Sequence, residues 1–171
     1  MLQRRTYAKN HPSDDFQTPD EAIEYIFKWI LPATVICDPF PYHGEKSNIV
    51  DFFLKHGRKA FFSTGNAFET TEYMKADMIV TNPPYSMKTE ALEHFYKIGK
   101  PFAMLLPLTA LGEQHRIKLF KQYGVTVYIP PKRINYVTPN FVKNSSASFM
   151  SAWFAFNPYE LPSDRNRHIF L

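Results

Sequence analysis

Residues 78 to 85, MIVTNPPY, run an apolar stretch into an amide, two prolines and an aromatic ring. Met78-Ile79-Val80 reads as a buried strand that stops at Asn82. Two consecutive prolines lack the N–H groups a ladder needs and hold φ near about −65°. The Asn82 carboxamide is thereby placed at the lip of a sheet, where open α/β sheets bind their ligands. Asp38 closes an earlier β-branched run, ATVICDPF, and Asn66 follows a third, RKAFFST. Brought together at neighbouring strand ends, these residues would form a crevice lined by one carboxylate and two carboxamides. Phe40, Phe68 and Tyr85 would supply its rings. Such a crevice offers hydrogen bonds to a polar ligand, and the aromatic content of 16% leaves rings for stacking as well as packing.

Helices and strands must alternate to present those ends. TPDEAIEYIFKWIL has Thr18 as helix N-cap, Pro19 at the first position and acids in the first turn. Its residues Ala22, Ile23, Ile26, Phe27 and Ile30 recur at helical spacing. A second helix over EKSNIVDFFLKHG closes at Gly57. A third spans 87–98, and a fourth spans LGEQHRIKLFKQYG with a glycine at its end. Between them lie the strands KPFAMLLPL and VTVYIP, and SASFMSAWFAFNP is the last strand. This order predicts one doubly wound, Rossmann-like α/β domain over 16–171 with a mostly parallel sheet. The last strand follows another without an intervening helix and is expected to insert antiparallel. Residues 1–15 read as a flexible basic arm whose Arg4, Arg5 and Lys9 are solvated.

The 171 residues suffice for one core, and 44% hydrophobic content argues against a disordered chain. The net charge of +4 is compatible with a polyanionic partner without identifying one. The single cysteine, Cys37, lies in an apolar run, reads as a core residue and cannot form an internal disulfide, so a cytoplasmic location is expected. No run approaches the roughly 18–20 apolar residues of a membrane span, and no membrane partner is expected. His43 has no Cys, His or Asp at metal-ligand spacing around it, so no metal is expected. Phe61 and Phe62 read as core.

From DDFQTP through DPFPYHG, GNAFE and TNPPYS to KPFAMLLPL, PPKRINY and SFMSAWFAF, the chain resembles the S-adenosylmethionine-dependent amino-methyltransferases. The likeness is to the short N6-adenine DNA methyltransferase-like proteins of phages and prophages. The resemblance implies S-adenosylmethionine as cofactor and an exocyclic amine as acceptor, N6 of adenine in DNA foremost. It implies that Asn82 and a carbonyl of Pro83 or Pro84 accept the amine hydrogens, while Tyr85 stacks on a flipped-out base. It further implies that Phe16, Thr18, Asp38, Phe40, Gly44, Asn66 and Phe68 contact the cofactor. The physics is consistent: an amine whose lone pair is delocalised into a ring needs fixed acceptors and an aromatic face, and must leave its stack to reach them.

The chain departs from the family pattern in three places, one being that no acidic residue ends the second strand, KAFFSTG, to grip the ribose hydroxyls. Tyr42 stands where a second glycine usually sits two residues before Gly44, and Asn66 replaces an acid. These changes motivate a second reading, a methyltransferase fold that binds nucleic acid or a partner chain without turnover. The same chemistry on RNA or a protein glutamine is a third. Lys132, Arg133 and Tyr136, in the basic loop 131–146, are the residues expected to face nucleic acid. A chain of this length has no separate target-recognition domain. Specificity would come from that loop, a partner protein or a homodimer.

Overall fold

The computed structural model describes residues 17–41, 45–136 and 149–156, with the backbone of 168–170. The described residues form four α-helices and seven strands, which alternate as expected as far as the fourth helix. The helices are α1 (Asp20–Phe27), α2 (Asn48–Lys55), α3 (Lys88–Ile98) and α4 (Gln114–Tyr123). The strands are β1 (Ile36–Asp38), β2 (Ala60–Phe62), β3 (Met78–Thr81), β4 (Phe102–Pro107), β5 (Thr126–Tyr128), β6 (Ser151–Phe156) and β7 (His168–Phe170). They form one sheet in the order β2-β1-β3-β4-β6-β5-β7. The pairs β1–β2, β1–β3 and β3–β4 are parallel, while β6 runs antiparallel to both β4 and β5. The expected antiparallel insertion is thus present, between two strands that precede it in the chain. β7 pairs antiparallel with β5 at one edge and was not foreseen.

Side chains along β1 to β6 alternate between two cores, as the period of two requires. Ile36, Val80, Leu105 and Trp153 face one side with Ile23, Ile26 and Phe53 from α1 and α2. Cys37, Ile79, Met104 and Phe154 face the other with Leu92, Phe95 and Phe120 from α3 and α4. Trp153 also donates its indole N–H to the Ala22 carbonyl at 2.9 Å, tying α1 to the antiparallel strand. Burial in this double layer pushes the Cys37 thiol up to about 12, with Asp38 and Glu72 adding to the shift and a Ser63 backbone hydrogen bond opposing it. The thiol is a packed, protonated core group.

Helix ends follow local chemistry, with one correction. Ser47 caps α2 by accepting from Val50 N–H at 3.1 Å, and Gly57 and Gly99 take positive φ beyond α2 and α3. α1, however, begins at Asp20 with Pro19 as its N-cap and no side-chain cap. Thr18 is not the cap. Pro19 keeps extended ψ, its carbonyl already accepts from Ala22 and Ile23, and Thr18 sits one residue too early to reach the first free N–H groups. Among the described residues no helix is long and apolar enough to cross a membrane.

Candidate active site

The order β2-β1-β3 sets the C-terminal ends of these three parallel strands side by side. Asp38, Thr81 and Asn82 come together there, with the loop that carries Asn66 and Phe68 at the β2 end. Asp38 is 3% exposed, and its carboxylate binds three donors. One oxygen accepts from Phe40 N–H at 3.0 Å and Thr81 Oγ1 at 2.6 Å, and the other from Ser47 Oγ at 2.7 Å. Asp38, expected to meet a cofactor, braces the end of β3, the turn at Phe40 and the cap of α2. Thr81 and Ser47, not foreseen as site residues, complete that brace. Ser47 could have been found from its position ahead of the apolar run NIVDFF; nothing local marks Thr81.

Asn82 follows the last residue of β3. Its Oδ1 atom is buried and has no hydrogen-bond partner among the described residues. An amide oxygen shut from water without a partner costs on the order of 1–3 kcal/mol, so its place at the strand end invites a donor. Pro83 is buried and Pro84 half-buried, and the Pro84 carbonyl accepts from Met87 N–H at 2.8 Å. The two prolines and this short turn fix the backbone beside the orphaned oxygen.

Tyr85 opens the turn that leads into α3, and its carbonyl accepts from Lys88 Nζ at 2.9 Å. Its hydroxyl meets that of Tyr136 at 2.5 Å, and Ser151 Oγ lies at 3.4 Å. The ring is edge-on to Phe149 at 5.6 Å and to Tyr136 at 6.3 Å. Tyr136, expected at a nucleic-acid rim, is only 2% exposed. It belongs to the inside of the site, because the phenol turns inward to reach Tyr85. Desolvation pushes the Tyr136 phenol up to about 12, and burial with Tyr136 beside it raises Tyr85 well above the usual phenol range.

The wall on the β2 side is aromatic. Phe40, 7% exposed, meets Phe68 edge-on at 5.7 Å and Phe95 at 6.4 Å. Behind Phe68 stands His94, edge-on at 5.3 Å and hydrogen-bonded through Nε2 to Tyr73 Oη at 3.0 Å. Burial holds the His94 imidazole below its ordinary range. Neither His94 nor Tyr73 carries a local sequence signal; only the fold brings them to this wall. Asn66 is exposed, and its Oδ1 accepts from Phe68 N–H at 3.0 Å, shaping the turn that presents that ring. Thr18 is buried beside the first turn of α2, where its carbonyl accepts from Asn48 Nδ2 at 3.4 Å. Phe16, Tyr42, His43 and Gly44 lie outside the described residues.

Lys132 and Arg133 are exposed. They line a groove of about 420 Å³ with Tyr25, Lys28 and two acids, Glu21 and Glu24, of the α1 region. Residues 137–148, which include most of the basic loop, lie outside the described residues, as do 1–16.

No protein-family profile and no curated protein matches the chain in sequence. Similarity is found among solved structures. A Listeria monocytogenes protein assigned to the class I S-adenosylmethionine-dependent methyltransferases aligns over 91% of this chain, at 12% identity and a TM-score of 0.51. An S-adenosylmethionine-dependent O-methyltransferase of Thermotoga maritima aligns over 82%, at 13% identity and a TM-score of 0.43. The chain spans 66% and 65% of the lengths of these two proteins, just under two thirds of each. With its strand order and antiparallel β6, this chain has the Rossmann-like fold of the class I S-adenosylmethionine-dependent methyltransferases.

Proposed function

We propose that the chain transfers a methyl group from S-adenosylmethionine to an exocyclic amine, with N6 of adenine in DNA as the acceptor. The observation that carries this reading is the buried, unpartnered Asn82 Oδ1 at the end of β3, set against a rigid Pro-Pro turn. An amine donates; an acceptor already shut from water and held in place loses nothing further to desolvation when the amine arrives. The Pro84 carbonyl is engaged by Met87, so the second acceptor in this reading is the carbonyl of Pro83. Holding both amine hydrogens orients the nitrogen lone pair toward the methyl donor, and that orientation is the main catalytic contribution of the chain.

Phe40, Phe68 and the turn at Asn66 are the residues that fit the cofactor, because they form an aromatic wall beside the strand ends. S-adenosylmethionine, when bound, supplies a methyl group already activated as a sulfonium. Asp38 holds the loops on either side of that wall in register through Phe40, Ser47 and Thr81. Tyr85 offers the aromatic face for a base that has left its stack. The exposed cations Lys132 and Arg133 are the residues that would meet phosphates, which favours nucleic acid as the acceptor.

The test is transfer of labelled methyl from S-adenosylmethionine to unmethylated DNA by the wild type and by Asn82→Ala. The variant is expected to fold and bind cofactor as the wild type does and to lose roughly 10²–10³-fold in rate, the usual effect of removing one preorganised group. Undiminished transfer by Asn82→Ala overturns the amine-holding role. Transfer to RNA or to a protein glutamine, with DNA unmodified, keeps the chemistry and corrects the acceptor.

A further inference from the structure

Residues 133 to 136 alternate between solvent and interior although they belong to no strand. Arg133 and Asn135 are exposed, whereas Ile134 and Tyr136 are 6% and 2% exposed. The inward side of this segment ends on the aromatic residue of the NPPY turn. The Tyr136 and Tyr85 hydroxyls meet at 2.5 Å, and Ser151 at the start of β6 bonds to both phenols. Tyr136 and Phe149, 6.2 Å from each other, both meet the Tyr85 ring edge-on, at interplanar angles of 87° and 70°.

Packing alone gives no reason for this arrangement. Two phenols that satisfy each other in the interior contribute little beyond what two phenylalanines would, because replacing both partners of a buried hydrogen bond by apolar groups of the same shape is nearly neutral. What the hydroxyls add is direction: a ring has only two side-chain torsions, and a bond at its far end removes the freedom packing leaves. We propose that Tyr136 is a positioning residue for the acceptor pocket: with Ser151, its hydroxyl orients the Tyr85 ring against which the acceptor lies. The inference rests on the amine-methyltransferase reading of the site. It assigns to the segment after β5 a part in the chemistry in addition to any contact its outer side makes with nucleic acid.

The experiment measures methyl transfer to unmethylated DNA by the wild type, Tyr136→Phe, Tyr85→Phe and the double variant, with cofactor affinity and thermal midpoint measured on each. Tyr136→Phe is expected to lower kcat/KM for DNA roughly two- to tenfold, the range covered by one neutral hydrogen bond. Cofactor affinity is expected to stay at the wild-type value, and the thermal midpoint to fall by no more than the few degrees that one neutral hydrogen bond accounts for. The double variant is expected to lose no more than Tyr85→Phe alone, because the two hydroxyls act as one unit. Wild-type kcat/KM in Tyr136→Phe overturns the proposal, as do losses that multiply in the double variant. A loss accompanied by weakened cofactor binding also overturns it, by showing a general structural role. A folded wild type that binds cofactor but methylates no DNA removes the acceptor reading and this proposal together, an outcome distinct from a silent Tyr136→Phe in an active enzyme.

Discussion

Removing the Asp38 carboxylate would strand three donors at once: the Phe40 amide, the Thr81 hydroxyl and the Ser47 hydroxyl. All lie in the interior, where an unmet donor costs about 1–3 kcal/mol, so Asp38→Ala is expected to destabilise the fold by roughly 3 kcal/mol or more. Chemical denaturation checks this, and a change under 1 kcal/mol would contradict the bracing role. The residue scale also shows what the sequence made legible. Asn82 and Asp38 could be placed at strand ends because prolines and apolar runs are local signals. The uses of the two side chains were not legible in the same way. Asp38 faces Thr81 across 43 residues of chain, and Tyr136 faces Tyr85 across 51. In PPKRINY nothing local tells an inward phenol from an exposed one.

At the scale of elements, helix ends were read best where glycine sets them. Gly99 closes α3 at φ 71°, and a Cβ built there meets nothing within 4 Å. Gly99→Ala is therefore expected to cost about 1 kcal/mol from backbone conformation alone, measured as a lower denaturation midpoint with unchanged slope. An unchanged midpoint would show that the turn relaxes freely. α3 also carries His94, whose imidazole is held below its ordinary range first by burial. The folded state thus favours the neutral ring, and the unfolded chain takes up more protons as pH falls through the ordinary imidazole range. The His94 contribution is complete above about pH 6.5 and declines below it. A thermal midpoint that falls between pH 7 and pH 5, and falls less in His94→Gln, is the expected result. An identical decline in the variant would remove His94 as a cause. β7 shows where reading by element fails: three residues, His168–Phe170, are too few to show a period, and the pairing with β5 spans some forty positions.

Across the whole molecule, alternation of strands and helices was enough to give the doubly wound class, and the helix-free step from VTVYIP to SASFMSAWFAF was enough to give an antiparallel β6. The position of β6 between β4 and β5 depends on burying Trp153 and Phe154 in opposite cores, a global packing outcome no segment encodes alone. The interior is also rich in phenols that folding keeps neutral: Tyr136 is pushed up to about 12 by desolvation, and Tyr85, Tyr96 and Tyr128 are raised by burial. Above pH 10 the unfolded chain releases phenolic protons that the folded state retains, so stability is complete below that point and declines as pH rises toward 12. Denaturation midpoints that hold constant from pH 9 to 12 would contradict this burial.

Calorimetric titration of the folded protein with S-adenosylmethionine decides whether the ends of β1, β2 and β3, with the Phe40–Phe68 wall, hold the cofactor. Micromolar binding, about 8 kcal/mol, weakened when Phe40 or Phe68 is replaced by Ala, is the expected result. No binding up to millimolar cofactor, with or without DNA present, would contradict it and leave a methyltransferase fold that serves binding alone.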